Sequence, residues 1–151
     1  MDRPLPYSVR FETEYKPGKV EAVSYRDGKE VSRAELSTTD KPDGISLTAE
    51  KTAMKADGHD LIYVNVDIVD ENGNRVPDAK IRLKAELTGP AVISGFGSAN
   101  PVTDEKYTDA ETVSYKGRAL AVLRSGYEKG QVRLNISGEG VHSAEVTLDV
   151  E

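Results

Sequence analysis

The stretch Leu61-Ile62-Tyr63-Val64-Asn65-Val66-Asp67-Ile68-Val69-Asp70 is followed by Glu71 and then by Asn72-Gly73. Ile62, Val64, Val66 and Ile68 fill every second position, with Tyr63, Asn65 and Asp67 between them. Successive side chains of a β-strand point to opposite faces, so this spacing predicts a strand that buries its even-numbered face. A register slip of one residue would expose four aliphatic side chains, which fixes the pairing. Asn-Gly after such a run is a strong hairpin signal.

Working outward, the same period of two recurs in Ile45–Ala49, Lys80–Leu87, Ala91–Ser94, Ala119–Ser125, Gln131–Ser137 and Ser143–Val150. With Leu61–Asp70 these make about seven strands, the number and spacing of an immunoglobulin-like β-sandwich. Val132, Leu134 and Ile136 are expected to face the core, as are Val146, Leu148 and Val150. No segment reads as a helix. The fold class is all-β: an immunoglobulin-like sandwich over residues 41–151, preceded by a partial, three-stranded immunoglobulin-like module over residues 1–40. The three strands are Tyr7–Tyr15, Val20–Tyr25 and Glu30–Leu36, punctuated by Pro17-Gly18 and Asp27-Gly28. Ser37–Gly44 (STTDKPDG) is polar and without periodicity, and is read as the linker.

Composition narrows the function. The 151 residues carry 20 basic and 26 acidic side chains, a net charge of −6, and neither Cys nor Trp. A pI near 5.1 gives no basic footprint for a phosphate backbone, so no nucleic acid partner is expected. No apolar run approaches the roughly 20 residues of a membrane-spanning helix. The opening MDRPLPYSVR lacks the apolar stretch of a signal peptide, so any export signal is expected elsewhere. Without cysteine there are no disulfides, thiolate metal sites or thiol nucleophiles.

Candidate chemistry is sparse. Asp67–Asp78 (DIVDENGNRVPD) offers closely spaced oxygens, but an EF-hand loop needs Gly at its sixth position and Glu at its twelfth, and counting from Asp70 puts Gly73 fourth and Ile81 twelfth. A solvated hairpin turn is the reading. His59 and His142 lie on different loops with no second ligand nearby, and His59 is read as a surface residue between solvated Asp57 and Asp60. Asn135-Ile136-Ser137 matches a glycosylation sequon, but Ile136 is an inward strand position, and no role is assigned. Gly95–Lys116 is the longest irregular stretch, and loops of that length are usually functional or disordered. It opens with Gly95-Phe96-Gly97-Ser98, a fragment of a phosphate loop with no helix or Lys-Ser/Thr pair behind it, read as a sharp bend. It also carries Asp104, Glu105, Asp109 and Glu111, in a domain too small for a deep glycosidase cleft. Tyr107 and Tyr115 are the speculative contacts for a sugar or a neighbouring subunit, against the plainer reading that they cover one end of the sandwich with their hydroxyls wet. No catalytic, cofactor-binding or metal-binding residue is assigned.

A family resemblance rests on several stretches. Lys16-Pro17-Gly18-Lys19-Val20-Glu21-Ala22-Val23 and Asp27-Gly28-Lys29-Glu30-Val31 resemble the end of an immunoglobulin-like module that follows the catalytic barrel in bacterial glycoside hydrolase family 2 β-galactosidases. Leu47-Thr48-Ala49-Glu50-Lys51, Leu61–Asp70, Asn72-Gly73-Asn74, Gly95-Phe96-Gly97 and Tyr115-Lys116-Gly117-Arg118-Ala119-Leu120 resemble the terminal module of those enzymes. The sequence departs from that pattern at Ser98-Ala99 and at Thr103-Asp104. The resemblance implies a non-catalytic accessory region of a larger, periplasmic or surface-associated glycosidase. It further implies the upstream catalytic domains of the same polypeptide as partners, with a homo-oligomer left open. No family catalytic motif occurs here, so no catalytic residue is carried over. The strand signature also resembles bacterial immunoglobulin-like adhesin repeats, which makes an adhesin or surface spacer the first alternative; a stand-alone carbohydrate-binding module is the second.

A three-stranded sheet with one apolar face is marginal alone. Val9, Phe11, Val20 and Ala22 are therefore expected to pack against a neighbouring copy or the second domain.

Overall fold

The computed structural model describes residues 8–151, and the chain divides into two compact units, Met1–Thr38 and Thr39–Glu151. The described residues contain eleven β-strands and no helix: β1 Lys19–Arg26, β2 Lys29–Ser37, β3 Gly44–Ala49, β4 Ala53–Met54, β5 Leu61–Val69, β6 Arg82–Thr88, β7 Ala91–Gly97, β8 Glu111–Val113, β9 Arg118–Ser125, β10 Gly130–Gly138 and β11 Val141–Val150. The all-β sandwich expected from the sequence is the architecture observed.

In the first unit β1 and β2 form an antiparallel ribbon closed by Asp27-Gly28, both with positive φ (50° and 75°), as a type I′ hairpin turn requires. The expected third strand does not form. Tyr7 lies outside the described residues, and Ser8–Tyr15 has no strand structure. Alternation of Val9, Phe11 and Thr13 supplies a face but no partner edge, and a strand exists only by its ladder. The ribbon's two faces differ. On one, Val20 opposes Leu36 and Ala22 opposes Ala34. On the other, Lys19 pairs with Glu21 and Glu35, and Arg33 with Glu21 and Glu30. Val9, Phe11, Val20 and Ala22 are all exposed in the chain.

The second unit is two packed layers. One has the order β7-β9-β5-β3 and the other β8-β6-β10-β11; β4 lies beside β11, and a parallel step between Gly44 and His142 joins the layers. Ile62, Val64, Val66 and Ile68 of β5 are fully buried, as are Leu123 of β9, Leu83 of β6 and Val132, Leu134 and Ile136 of β10. Phe96, Met54 and Leu148 fill the space between. Each such side chain contributes about 1.5–3 kcal/mol of burial. Val146, expected inward, is only half-buried, packed against the core from mid-strand opposite Leu134.

Two short strands were not visible in the sequence: β4, of two residues, and β8, of three, which lies inside the stretch read as a continuous loop. That loop is shorter at both ends than expected. Gly95-Phe96-Gly97 continues β7 rather than bending away from it, and Tyr115 bridges Arg118 across Lys116-Gly117, another turn with two positive φ values (52° and 70°). Only Ser98–Ala110 is irregular.

Asp70 closes β5. Its carboxylate is buried and accepts hydrogen bonds from the backbone N–H of Asp40 (3.1 Å), Asn72 (3.0 Å) and Asn74 (2.8 Å). Burial pushes its pKa up, but these donors outweigh that and hold it below the ordinary carboxylate value. An oxygen pair ringed by N–H donors is a turn cap, not a cation ligand.

Candidate functional site

The irregular loop is pinned at several points. Asn100 Oδ1 accepts from Val102 N–H (3.1 Å), and Thr103 Oγ1 from Glu105 N–H (3.2 Å), two local turns of the kind short polar side chains make. The Glu105 carboxylate then accepts from Thr112 Oγ1 (2.8 Å) and Val113 N–H (3.1 Å), fastening the loop to β8. Glu105 is therefore a structural carboxylate. Glu111 faces Arg82 at 3.9 Å, while Asp104 and Asp109 are exposed. Arg82 and Glu111 lie in a shallow groove of about 240 Å³ with Lys84 and Glu139, so charges of both signs line it.

Tyr107 ends up on the sandwich. Its carbonyl accepts the Phe96 N–H (2.7 Å), and its ring lies over Gly97. Phe96 is buried, so Gly97 faces outward, opposite Leu120 of β9, which in turn opposes Asn65 of β5. One pair further along, Gly95 opposes Val122, and Val122 opposes Tyr63. Tyr107, Leu120, Val122 and Tyr63 thus share the outer face of the β7-β9-β5-β3 layer. Tyr107 is 55% and Tyr63 40% exposed. This face offers rings and aliphatic carbons for stacking.

Tyr115 is placed differently. It is half-buried in the β8–β9 turn, with Lys116 Nζ 5.6 Å from its ring centroid, a cation–π distance. Sequence reasoning singled out Tyr107 and Tyr115 but missed Tyr63, which reads only as an outward strand position; the signal was its period-two phase against Val64 and Val66.

The two histidines are exposed. His59 sits in a loop held by two aspartates that are far from free. Asp57 Oδ1 accepts the N–H of His59 and of Asp60 (2.8 Å each), which lowers its pKa. Asp60, read as solvated, is half-buried; Lys51 Nζ donates to it at 2.7 Å and Lys55 N–H at 2.8 Å, lowering its pKa in that order of effect. The Asp-Gly turn needed caps, and these two carboxylates supply them.

Residues 45–147 match the family described as glycoside hydrolase family 2 C-terminal domain 5, and residues 2–32 match a domain of unknown function, DUF4982. The chain is 32% identical over 143 residues to the β-galactosidase BoGH2A of Bacteroides ovatus, covering 95% of this chain and 17% of that protein. It is 29% identical to a β-glucuronidase of Formosa agariphila, covering 94% of this chain and 15% of the relative. A crystal structure of a glycosyl hydrolase family 2 member from Bacteroides cellulosilyticus superposes with a TM-score of 0.85 at 33% identity, over 91% of this chain and 18% of that one. The chain thus spans less than a fifth of each of these three relatives. The match over residues 45–147, on a sandwich that superposes on part of a solved family 2 enzyme, places this chain in the glycoside hydrolase family 2 C-terminal domain 5 family.

Proposed function

We propose that the chain is a non-catalytic accessory region of a larger, β-galactosidase-like family 2 glycoside hydrolase, supporting its catalytic domains. One observation carries this reading: nearly the whole chain aligns with 15–17% of much longer glycosidases. The engagement of Glu105 with Thr112 and Val113 supports it, because that carboxylate is occupied in holding the loop. The uncovered Val20, Ala22, Ala34 and Leu36 face of the ribbon suits packing against the preceding domains of the parent polypeptide. Assay of the 151-residue chain with nitrophenyl β-galactoside and β-glucuronide should release no nitrophenol above the buffer rate. Turnover by the chain alone would overturn the proposal.

A second reading assigns Tyr107, with Tyr115, contact to a sugar or to another subunit of a homo-oligomer. Its support is the exposed tyrosine ring held on the outer sheet face. Calorimetric titration with galactosides should give heat that Tyr107→Ala removes; no heat with any galactoside ends the sugar half of that reading, and a sedimentation profile unchanged by Tyr107→Ala ends the subunit half. A periplasmic or cell-surface location is proposed with the parent enzyme, and fractionation of the source cells tests it.

A further inference from the structure

The polar run between the two units is held far more tightly than its composition suggests. On the ribbon side, Thr38 N–H donates to Gly18 O (2.8 Å), Gly18 N–H donates to Thr38 Oγ1 (3.0 Å), and the Tyr15 hydroxyl lies 3.3 Å from the same Oγ1. Thr38 is therefore tied to its own unit by backbone and side chain.

The sandwich side is tied equally early. Asp40 N–H donates to the buried Asp70 carboxylate (3.1 Å), Asp43 N–H donates to Val69 O (2.9 Å), and Asp43 O accepts from His142 N–H (2.8 Å). Between these ties lie Lys41 and Pro42. The proline ring fixes its own φ near −65°, and a residue before proline is confined to extended conformations. The segment Asp40–Asp43 is thus part of the sandwich.

We propose that the joint between the two units is the single residue Thr39, with Asp70 as the latch that fixes its sandwich end and Thr38 as the anchor of its ribbon end. One residue has two soft torsions, and a β-branched side chain narrows them further. The sandwich is then hung from what precedes it by a short pivot, not by an eight-residue flexible tether. Loss of the Asp70 carboxylate frees Asp40 and lets the mobile stretch extend through Lys41 to Pro42.

Backbone ¹⁵N relaxation and amide exchange on the 151-residue chain test this. In the unaltered chain, Asp40, Lys41 and Asp43 should have order parameters near the roughly 0.85 of rigid backbone, and of residues 37–44 only Thr39 should fall below them. In Asp70→Ala the Asp40 amide should exchange about tenfold faster or more, as expected on losing a hydrogen bond to a charged acceptor, with Asp43 little changed. Thr38→Val, which keeps shape and removes the Oγ1 acceptor, should speed exchange at Gly18 and leave Asp40 unaffected. Low order parameters throughout Thr39–Asp43 in the unaltered chain would overturn the one-residue joint, whether or not Asp70→Ala folds. Unchanged Asp40 exchange in a folded Asp70→Ala would overturn the latch.

Discussion

The ring of Tyr107 occupies the space in which a side chain at Gly97 would stand; a Cβ built there collides with the ring edge at Cδ1 and Cε1. The glycine is a vacancy that the tyrosine fills, and the same tyrosine's carbonyl satisfies the Phe96 N–H on the open edge of β7. An unpaired edge invites pairing with other chains, and this loop covers it.

Gly97→Ala should therefore destabilise the sandwich by about 1–3 kcal/mol, the usual cost of overpacking. Tyr107→Ala in the same chain should recover most of that loss. Urea denaturation of the two single variants and the double variant gives the coupling, and additive losses would show that the ring is not what Gly97 makes room for.

Leu134 is fully buried at the centre of β10, whereas Leu36 of the ribbon is 78% exposed. Leu134→Ala should cost about 2–5 kcal/mol, through lost burial and a residual cavity. Leu36→Ala should stay within about 0.5 kcal/mol for the isolated chain. Both are read from denaturation midpoints at constant slope.

Acid should weaken the second unit. Asp57, Asp60 and Asp70 all have carboxyls held below their ordinary value of 3.8. A lowered folded pKa means that the unfolded chain binds more protons in that window, so stability rises with pH through it. The contribution is complete above about pH 5 and is lost as pH falls below 3.8 toward the folded values. Lys51→Met, which removes the strongest support of Asp60, should reduce the loss of stability between neutral pH and pH 3. An acid limb identical to that of the unaltered chain would count against the Lys51–Asp60 pair.

Glu105→Ala should release the irregular loop from β8 without unfolding the sandwich. Limited proteolysis followed by mass spectrometry should find cuts within residues 98–110 appearing several-fold faster than in the unaltered chain. Equal cutting rates would mean that the Glu105 carboxylate is not what holds the loop to β8.

The sandwich was legible because Ile62 to Ile68, and Val132 to Ile136, show their faces in their spacing. The shortest strands were not: Ala53-Met54 and Glu111-Thr112-Val113 are too brief to display a period, and they exist only because β11 and β6 offer an edge. Ser8–Tyr15 failed in the opposite way, with alternation but no edge. The site was less legible still. That Tyr107 lies over Gly97 depends on thirteen residues of irregular chain folding back, which no local pattern encodes. Asp70 as a cap for both Asn72-Gly73-Asn74 and Asp40 had a partial signal, an Asp just ahead of Asn-Gly, but its reach to the linker is long-range.

The parallel step that joins the layers also bears on how the second unit responds to force. His142 N–H bonds to Asp43 O, Asp149 N–H to Thr52 O, Glu151 N–H to Met54 O, and Ala56 N–H to Glu151 O. The segments that open and close this unit therefore run side by side in the same direction. A pull applied at Asp43 and at Glu151 loads these four bonds together in shear instead of peeling them one after another. For a domain hung on a short pivot, this is the arrangement that yields last under tension.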